Sequence, residues 1–451
     1  MKNSKSKTIP AIFLLFAFCG LFSDFAYAID VKRTVLPNGL IVLHSEKHNL
    51  PLVMVTLLVK ASPLNEPENK AGLSNLTAEL LAEGTKSRTS AVISEEVEFI
   101  GASLDTSVNS DYTTITLSVL KKDIHKGVEL FSDILLNPVF PAAEIERKKG
   151  IIKGSLRQRE EEPSFLAGRA FRKEVFGSHS YGRLLEGSVT TLDAITREDI
   201  AGFYSEYFLP NNSILSVVGD ISGDDLQSMI NQYLGRWKKS GLSSKSINKI
   251  DKKTERKIIL IDKDLTQANI LFGHRGISRD NPDYYAVMVM NYILGGGGFS
   301  SRLMHSIRDV MGLAYDVHSS FSANKEGGFF QAGVQTKNES ANAVIAEIIR
   351  HIELIQKKEV TTEELSEAKA FLTGSFPRKL DTNRKIADFI ALVEFYGLGT
   401  DYVEKYPAYI NAVTKEDILR VSGKYLYPHE YVLVVVANQE KAGLKQSGGP
   451  E

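Results

Sequence analysis

The sequence predicts an α+β protein made of one domain repeated, and three observations predict it. The same order of strand, helix, hairpin, helices and closing strand can be read twice along the chain. A polar stretch, Lys238 to Lys257 (KKSGLSSKSINKIDKKTERK), separates the two copies and carries too little apolar content to be core. Hydrophobic residues make up 43% and charged residues 24% of 451 residues, enough for a large core.

The chain opens differently from the rest. Lys2, Lys5 and Lys7 precede an apolar run from Ile9 to Phe22, and Ala26-Tyr27-Ala28 follows. A basic start, a short apolar stretch and an A-x-A site predict a secretory signal at residues 1–28, cleaved after Ala28. The run is shorter than the roughly 20 residues that span a bilayer, so no membrane span is expected after cleavage.

The first domain is expected over 29–237. Its strands are Ile41–His44 and Val53–Val59, followed by a helix over Ala71–Glu83. A hairpin runs from Ser103–Leu104 to Thr113–Leu120, then an amphipathic helix over Lys126–Leu136, and Ile214–Val218 closes the half. After the linker at 238–257, the second domain is expected over 258–438. Ile258–Ile261 and Ala268–Gly273 are its strands and Tyr284–Leu294 its first helix. Ala314–Phe321 and Phe329–Gln335 form the hairpin, Ala341–Lys357 the next helix, and Tyr431–Val436 the closing strand. Residues 439–451 read as a flexible tail.

Charge and cysteine usage narrow the function. Lys plus Arg (54) balance Asp plus Glu (55), so no global field favours nucleic acid. Cys19 is the single cysteine and lies within the signal, which leaves the mature chain without disulfides or a thiolate metal site. A large exported chain of this kind suits a bacterial periplasm or exterior.

Residues 72–85 read GLSNLTAELLAEGT, and the helix from Glu146 continues through Gly150-Ile151-Ile152-Lys153-Gly154 to Ser155. Pro138-x-Phe140-Pro141, Gly177-Ser-His179-Ser-Tyr181-Gly182 and Asn211-Asn212 leading to Val218-Gly219-Asp220 stand at further intervals. In these segments the chain resembles the pitrilysin and insulysin type of zinc peptidase, in its processing-peptidase-like branch. Active members carry H-x-x-E-H in a frame close to G-L-A-H-x-x-E-H-x-x-x-x-G-T. Here the frame is kept and the chemistry is replaced: Asn75 and Glu79 stand at the two His positions, Ala78 at the Glu position, and Ser155 at the third ligand position 76 residues beyond Glu79. Residues i and i+4 share one helix face, so two imidazoles there can hold one zinc while a carboxylate at i+3 deprotonates its water. Asn75 is a poor ligand, Glu79 offers one carboxylate, and Ala78 titrates nothing. No cofactor is expected on this chain.

The second half retains more. ILGGGGFSSRLMHSIRDVMGLAYDV (293–317) is similar to a family segment in which an Arg, and a Tyr seven residues later, contact the substrate backbone and the developing oxyanion. The matching residues are Arg308 and Tyr315. On residue type alone Arg308 also suits a helix surface and Tyr315 a packed strand. The Gly295–Gly298 run lacks the spacing of a phosphate loop, and the His44/His48 pair lies at a strand end and loop, where i, i+4 spacing does not make a shared face.

The resemblance implies two homologous domains, each a mostly antiparallel sheet flanked by helices, enclosing a peptide chamber. It implies a non-catalytic subunit of a heterodimeric zinc peptidase, with zinc held by a sister subunit and Arg308 and Tyr315 donated to that partner's active site. Extended peptides are the expected substrates, taken by strand addition. A structural or peptide-binding protein with no enzymatic partner is the alternative.

Overall fold

A computed structural model describes residues 29–242, 250 and 255–444. The predicted signal, most of the linker and the end of the tail lie outside the described residues. Among these residues no helix is long and apolar enough to cross a membrane.

Among the described residues, eleven strands form two sheets. The first comprises β1 (Lys32–Val35), β2 (Ile41–Glu46), β3 (Leu52–Val59), β4 (Ser103–Val108), β5 (Thr113–Leu120) and β6 (Ser213–Gly219), in the order β1-β2-β6-β3-β5-β4. The second comprises β7 (Lys257–Asp262), β8 (Gln267–Arg275), β9 (Ala314–Ala323), β10 (Gly328–Lys337) and β11 (Val432–Ala437), in the order β7-β11-β8-β10-β9. With β1 set aside, the two orders correspond strand for strand. In each sheet the first and last strands of the half pair in parallel (β2 with β6, β7 with β11), and the other pairs are antiparallel. The chain is therefore one α+β topology duplicated.

Differences from the sequence reading are local. The Ala71–Glu83 helix is shorter, Leu73–Leu80, because Gly72 takes φ 98° before it and the chain turns into an extended bridge at Gly84 after it. The Tyr284–Leu294 helix is α-helical only to Asn291 and then widens into an i→i+5 turn, Tyr292–Gly296. The helix carrying Glu146 begins earlier, at Ala142 behind Pro141. Strand β1, with mostly exposed side chains, gives no apolar alternation to read.

The central strands are apolar on both faces: LVMVTLLV in β3, SILSVVG in β6 and VLVVVA in β11 are buried almost throughout. Such runs arise where a sheet is covered on both sides. One cover comes from each half's own helices, which meet Val53, Val55, Leu57 and Leu215 in the first sheet. The other cover is exchanged between the halves. The Pro163–Phe176 helix of the first half lies on β8 and β11, where Leu166, Phe171 and Val175 meet Val432, Val434 and Val436. The Asn383–Phe395 helix of the second half lies on β3 and β6, where Ile386, Ile390 and Val393 join Met54, Leu58 and Ile214. Both are the third helix after their half's hairpin, so the exchange is reciprocal.

Close contacts fix both helices. A Cβ at Gly273 would stand 2.8 Å from Phe171 Cζ. Arg275 Nε donates to Val175 O at 2.7 Å, and Thr56 Oγ1 donates to Asp388 at 2.8 Å. Asp111, buried in the β4–β5 turn, accepts from the Tyr181 hydroxyl, from Lys325 N–H (3.0 Å) and from the Tyr396 hydroxyl (3.2 Å), tying both halves at one carboxylate.

Candidate functional site

The frame of the Leu73–Leu80 helix is architecture. Gly72 is required because a Cβ there would meet Glu186 O at 2.5 Å at a positive φ. Glu66 takes the place of an N-cap: it accepts from Gly72 N–H (3.1 Å), Ser74 N–H (2.7 Å) and the Ser74 hydroxyl (2.5 Å). Its deep burial pushes the carboxyl above the ordinary range, and these bonds work against that shift. Leu76, Leu80 and Leu81 fill the core, and Thr85 Oγ1 donates to Asp133 at 2.7 Å. Removing any frame residue would leave a gap or a strained turn, whatever the chemistry of the outward face.

The outward face does not fit zinc. Asn75 Nδ2 donates to Glu79 Oε1 at 2.9 Å, so the two positions that would share a metal satisfy each other. Lys148 Nζ lies 3.7 Å from Glu79 Oε2 and 3.0 Å from Glu83 Oε1, putting a fixed ammonium beside the lone carboxylate. Ala78, at 1% exposure, contributes a methyl where a base would be. Ser155 is exposed on the Ala142–Arg159 helix, which packs on this one. An amide, one carboxylate already paired, and a hydroxyl are not a zinc donor set.

Arg308 and Tyr315 stand around one doubling-back of the chain. Arg308 lies in a wide turn, His305–Val310, and its carbonyl accepts from Gly312 N–H at 3.0 Å, while Leu313 N–H donates to Ile307 O at 2.9 Å. Tyr315 follows at the head of β9, 87% exposed. The Arg308 guanidinium covers the Phe299 ring at 4.4 Å, and Phe299 is itself 68% exposed. Tyr315, Asp316 and His318 border a cleft of about 380 Å³ whose far wall is Ser164 and Ala167 of the exchanged helix.

The glycines before this turn serve packing. A Cβ at Gly295 would meet Ser319 Oγ at 2.5 Å, and one at Gly297 would meet Tyr292 O at 2.8 Å. Arg302 is held by both oxygens of Glu364 at 2.6 and 2.8 Å. Of the histidines, His44 Nε2 is engaged by Ile221 O at 3.1 Å and His48 Nδ1 by Asp220 at 2.6 Å, so the pair does not converge. The sequence reading did not single out Glu66, Lys148 or Phe299. Only Phe299 had a signal, an aromatic beside glycines.

Known proteins resemble this chain over most of its length. Residues 41–187 match the profile of insulinase (peptidase family M16), and residues 194–372 match that of the peptidase M16 inactive domain. The non-peptidase homolog YmxG of Helicobacter pylori is 25% identical over 95% of this chain and 98% of its own length. An uncharacterized zinc protease of Mycobacterium leprae is 27% identical over 67% of this chain and 68% of its own. A crystal structure described as a peptidase M16 inactive domain from Pseudomonas fluorescens superposes with a TM-score of 0.85 at 26% identity, covering 91% of this chain and 98% of that one. The two profiles together run from residue 41 to residue 372, broken only at 188–193. The chain belongs to the M16 peptidase family, and its Leu73–Leu80 helix carries no histidine.

Proposed function

We propose that this chain is the non-catalytic subunit of a heterodimeric zinc peptidase, acting in the periplasm or outside the cell of a bacterium. One observation carries the reading: the Asn75–Glu79 bond satisfies the outward face of the Leu73–Leu80 helix, while Tyr315 is 87% exposed at the head of β9, just past the turn that holds Arg308 over Phe299. An exposed phenol has no reason to be held at the head of a strand for packing. Facing a partner's zinc site, a phenol and a guanidinium are fixed donors for the charge that grows on a peptide carbonyl oxygen.

The sheet edges favour a peptide substrate. β4, the edge beside the Leu73–Leu80 helix, and β9, which begins next to Tyr315, are both terminal strands with unpaired backbone groups. An extended peptide adds to such an edge through main-chain bonds, with loose side-chain preference. The chamber then lies between this chain and its partner, the partner supplying the metal and this chain the opposite wall.

The test is reconstitution. The purified chain alone should hydrolyse no peptide, a sister subunit with an intact H-x-x-E-H should gain activity on mixing, and Arg308→Ala should lower the kcat of the mixture. A mutant mixture as fast as wild type would sink the donated pair. Complex formation without any gain in hydrolysis would favour a structural or peptide-holding role.

A further inference from the structure

A second cavity, remote in sequence from the metal-site helix, has a composition that points to a ligand. It lies in the second half, where the Tyr284–Asn291 helix, the Phe376–Lys379 turn and the Asn383–Phe395 and Tyr402–Asn411 helices converge, and its volume is about 160 Å³. Rings form much of its wall: Tyr284, Phe376, Phe389, Tyr396, Tyr402 and Tyr406.

Two cations border this cavity, Arg279 and Lys379. The Arg279 guanidinium lies 3.8 Å from the Tyr284 ring centroid and 5.8 Å from those of Tyr396 and Tyr402. Its Nη2 donates to the Tyr402 hydroxyl at 3.0 Å. Lys379 reaches the cavity from the solvent-exposed rim. Neither cation forms an ion pair with a carboxylate among the described residues. Although the Lys379 side chain as a whole is exposed, the packing around its ammonium and then the Arg279 charge hold it below its ordinary range. Arg279 rests on ring faces and one phenol, and Lys379 on water at the rim, so neither spends its charge on a carboxylate. A negative group is the missing complement.

Size sets the rest of the ligand. A cavity of roughly 150 Å³ holds one benzene ring. We propose that this cavity binds a small single-ring aromatic carboxylate of the phenylacetate class, with its ring among the tyrosines and its carboxylate between Arg279 and Lys379. The wall supplies offset and edge-on ring contacts, and the two cations supply charge-assisted hydrogen bonds.

Calorimetry and thermal shift on the purified chain test this, with phenylacetate and benzyl alcohol as probes. Phenylacetate should bind one per chain and raise Tm. Benzyl alcohol, which keeps the ring and lacks the charge, should bind about tenfold more weakly or less. Lys379→Gln, at an exposed position, should leave the unliganded Tm in place and weaken phenylacetate about tenfold. Met288→Phe should fill the space and abolish binding. No binding of phenylacetate to the wild-type chain would overturn the proposal. So would benzyl alcohol binding equally well, or both variants binding phenylacetate as wild type does.

Discussion

Asn75 donates to Glu79 across one helix turn at 2.9 Å, and Lys148 closes on the same carboxylate from the neighbouring helix. The Glu79 carboxylate is thus engaged by an amide and approached by an ammonium. Addition of zinc should leave the Tm of the wild-type chain unmoved, and metal analysis should find no stoichiometric zinc. Asn75→His/Glu79→His restores an i, i+4 imidazole pair, and zinc at about 100 times its Kd should then stabilise that variant by about 2.7 kcal/mol. A zinc-dependent rise of the same size in the wild type would contradict the self-satisfied face.

Tyr315→Phe removes one hydroxyl from an exposed ring, so the fold should be indifferent to it. In the reconstituted pair it should lower kcat by about 100- to 1,000-fold, the range for loss of one oxyanion donor. KM should change less than kcat. A change in KM alone would reassign Tyr315 to ground-state peptide binding.

Phe171 belongs to the first half and is buried against the sheet of the second. Phe171→Ala should cost about 3–5 kcal/mol, and unfolding in urea should remain a single transition, because neither half has a complete core. A chain ending at residue 242 should be aggregated or unfolded, since Met54, Leu58 and Ile214 would lose the Asn383–Phe395 helix. Two separated urea transitions in the full chain would refute the exchange as a stabilising feature.

Acid should unfold the chain through two buried histidines. His274 is neutral, its Nδ1–H donating to Arg275 O at 2.7 Å and its Nε2 accepting from Tyr427 N–H at 3.1 Å, and burial lowers its pKa to about 4. His179 accepts from Tyr181 N–H through Nδ1, and burial with Arg183 and Arg275 nearby lowers it to about 4 as well. Both values lie below the unfolded value of about 6.5, so the unfolded chain takes up the protons first. Their stability is whole above about pH 6.5 and is lost as the pH falls towards about 4, by up to ~3 kcal/mol for each histidine. Urea midpoints measured between pH 7.5 and 4.5 should show the loss, and His179→Gln should flatten it.

Tyr181→Phe leaves Asp111 buried with one acceptor bond fewer and should cost about 1–3 kcal/mol. Denaturant titration of that single variant measures it. A neutral result would mean that Lys325 N–H and Tyr396 satisfy the carboxylate unaided.

The sequence carried the fold well because the strands are apolar on both faces and the hairpins are bracketed by polar turns. Asn75, Ala78 and Glu79 could be singled out because the frame around them is intact. That frame survives for reasons of packing, as Gly72, Ser74 and Thr85 show. What could not be read was everything that depends on distant partners. Lys148 beside Glu79, Glu66 beneath Ser74 and the two exchanged helices all join residues whose spacing follows no period. The exposure of Tyr315 was equally hidden, since alternation along β9 fits either face until the register shifts between the Val317–Val334 and Ala314–Thr336 pairs.

The reciprocal loan of helices also constrains how such a chain could arise. Each half is finished only by a segment of the other, so a half-length ancestor with this topology would have had its second face bare. Two copies trading the same helix across a twofold axis would have closed both, which makes an intertwined homodimer the natural precursor. Fusion of its two genes would then have turned an association between molecules into a contact within one, and freed each half to diverge.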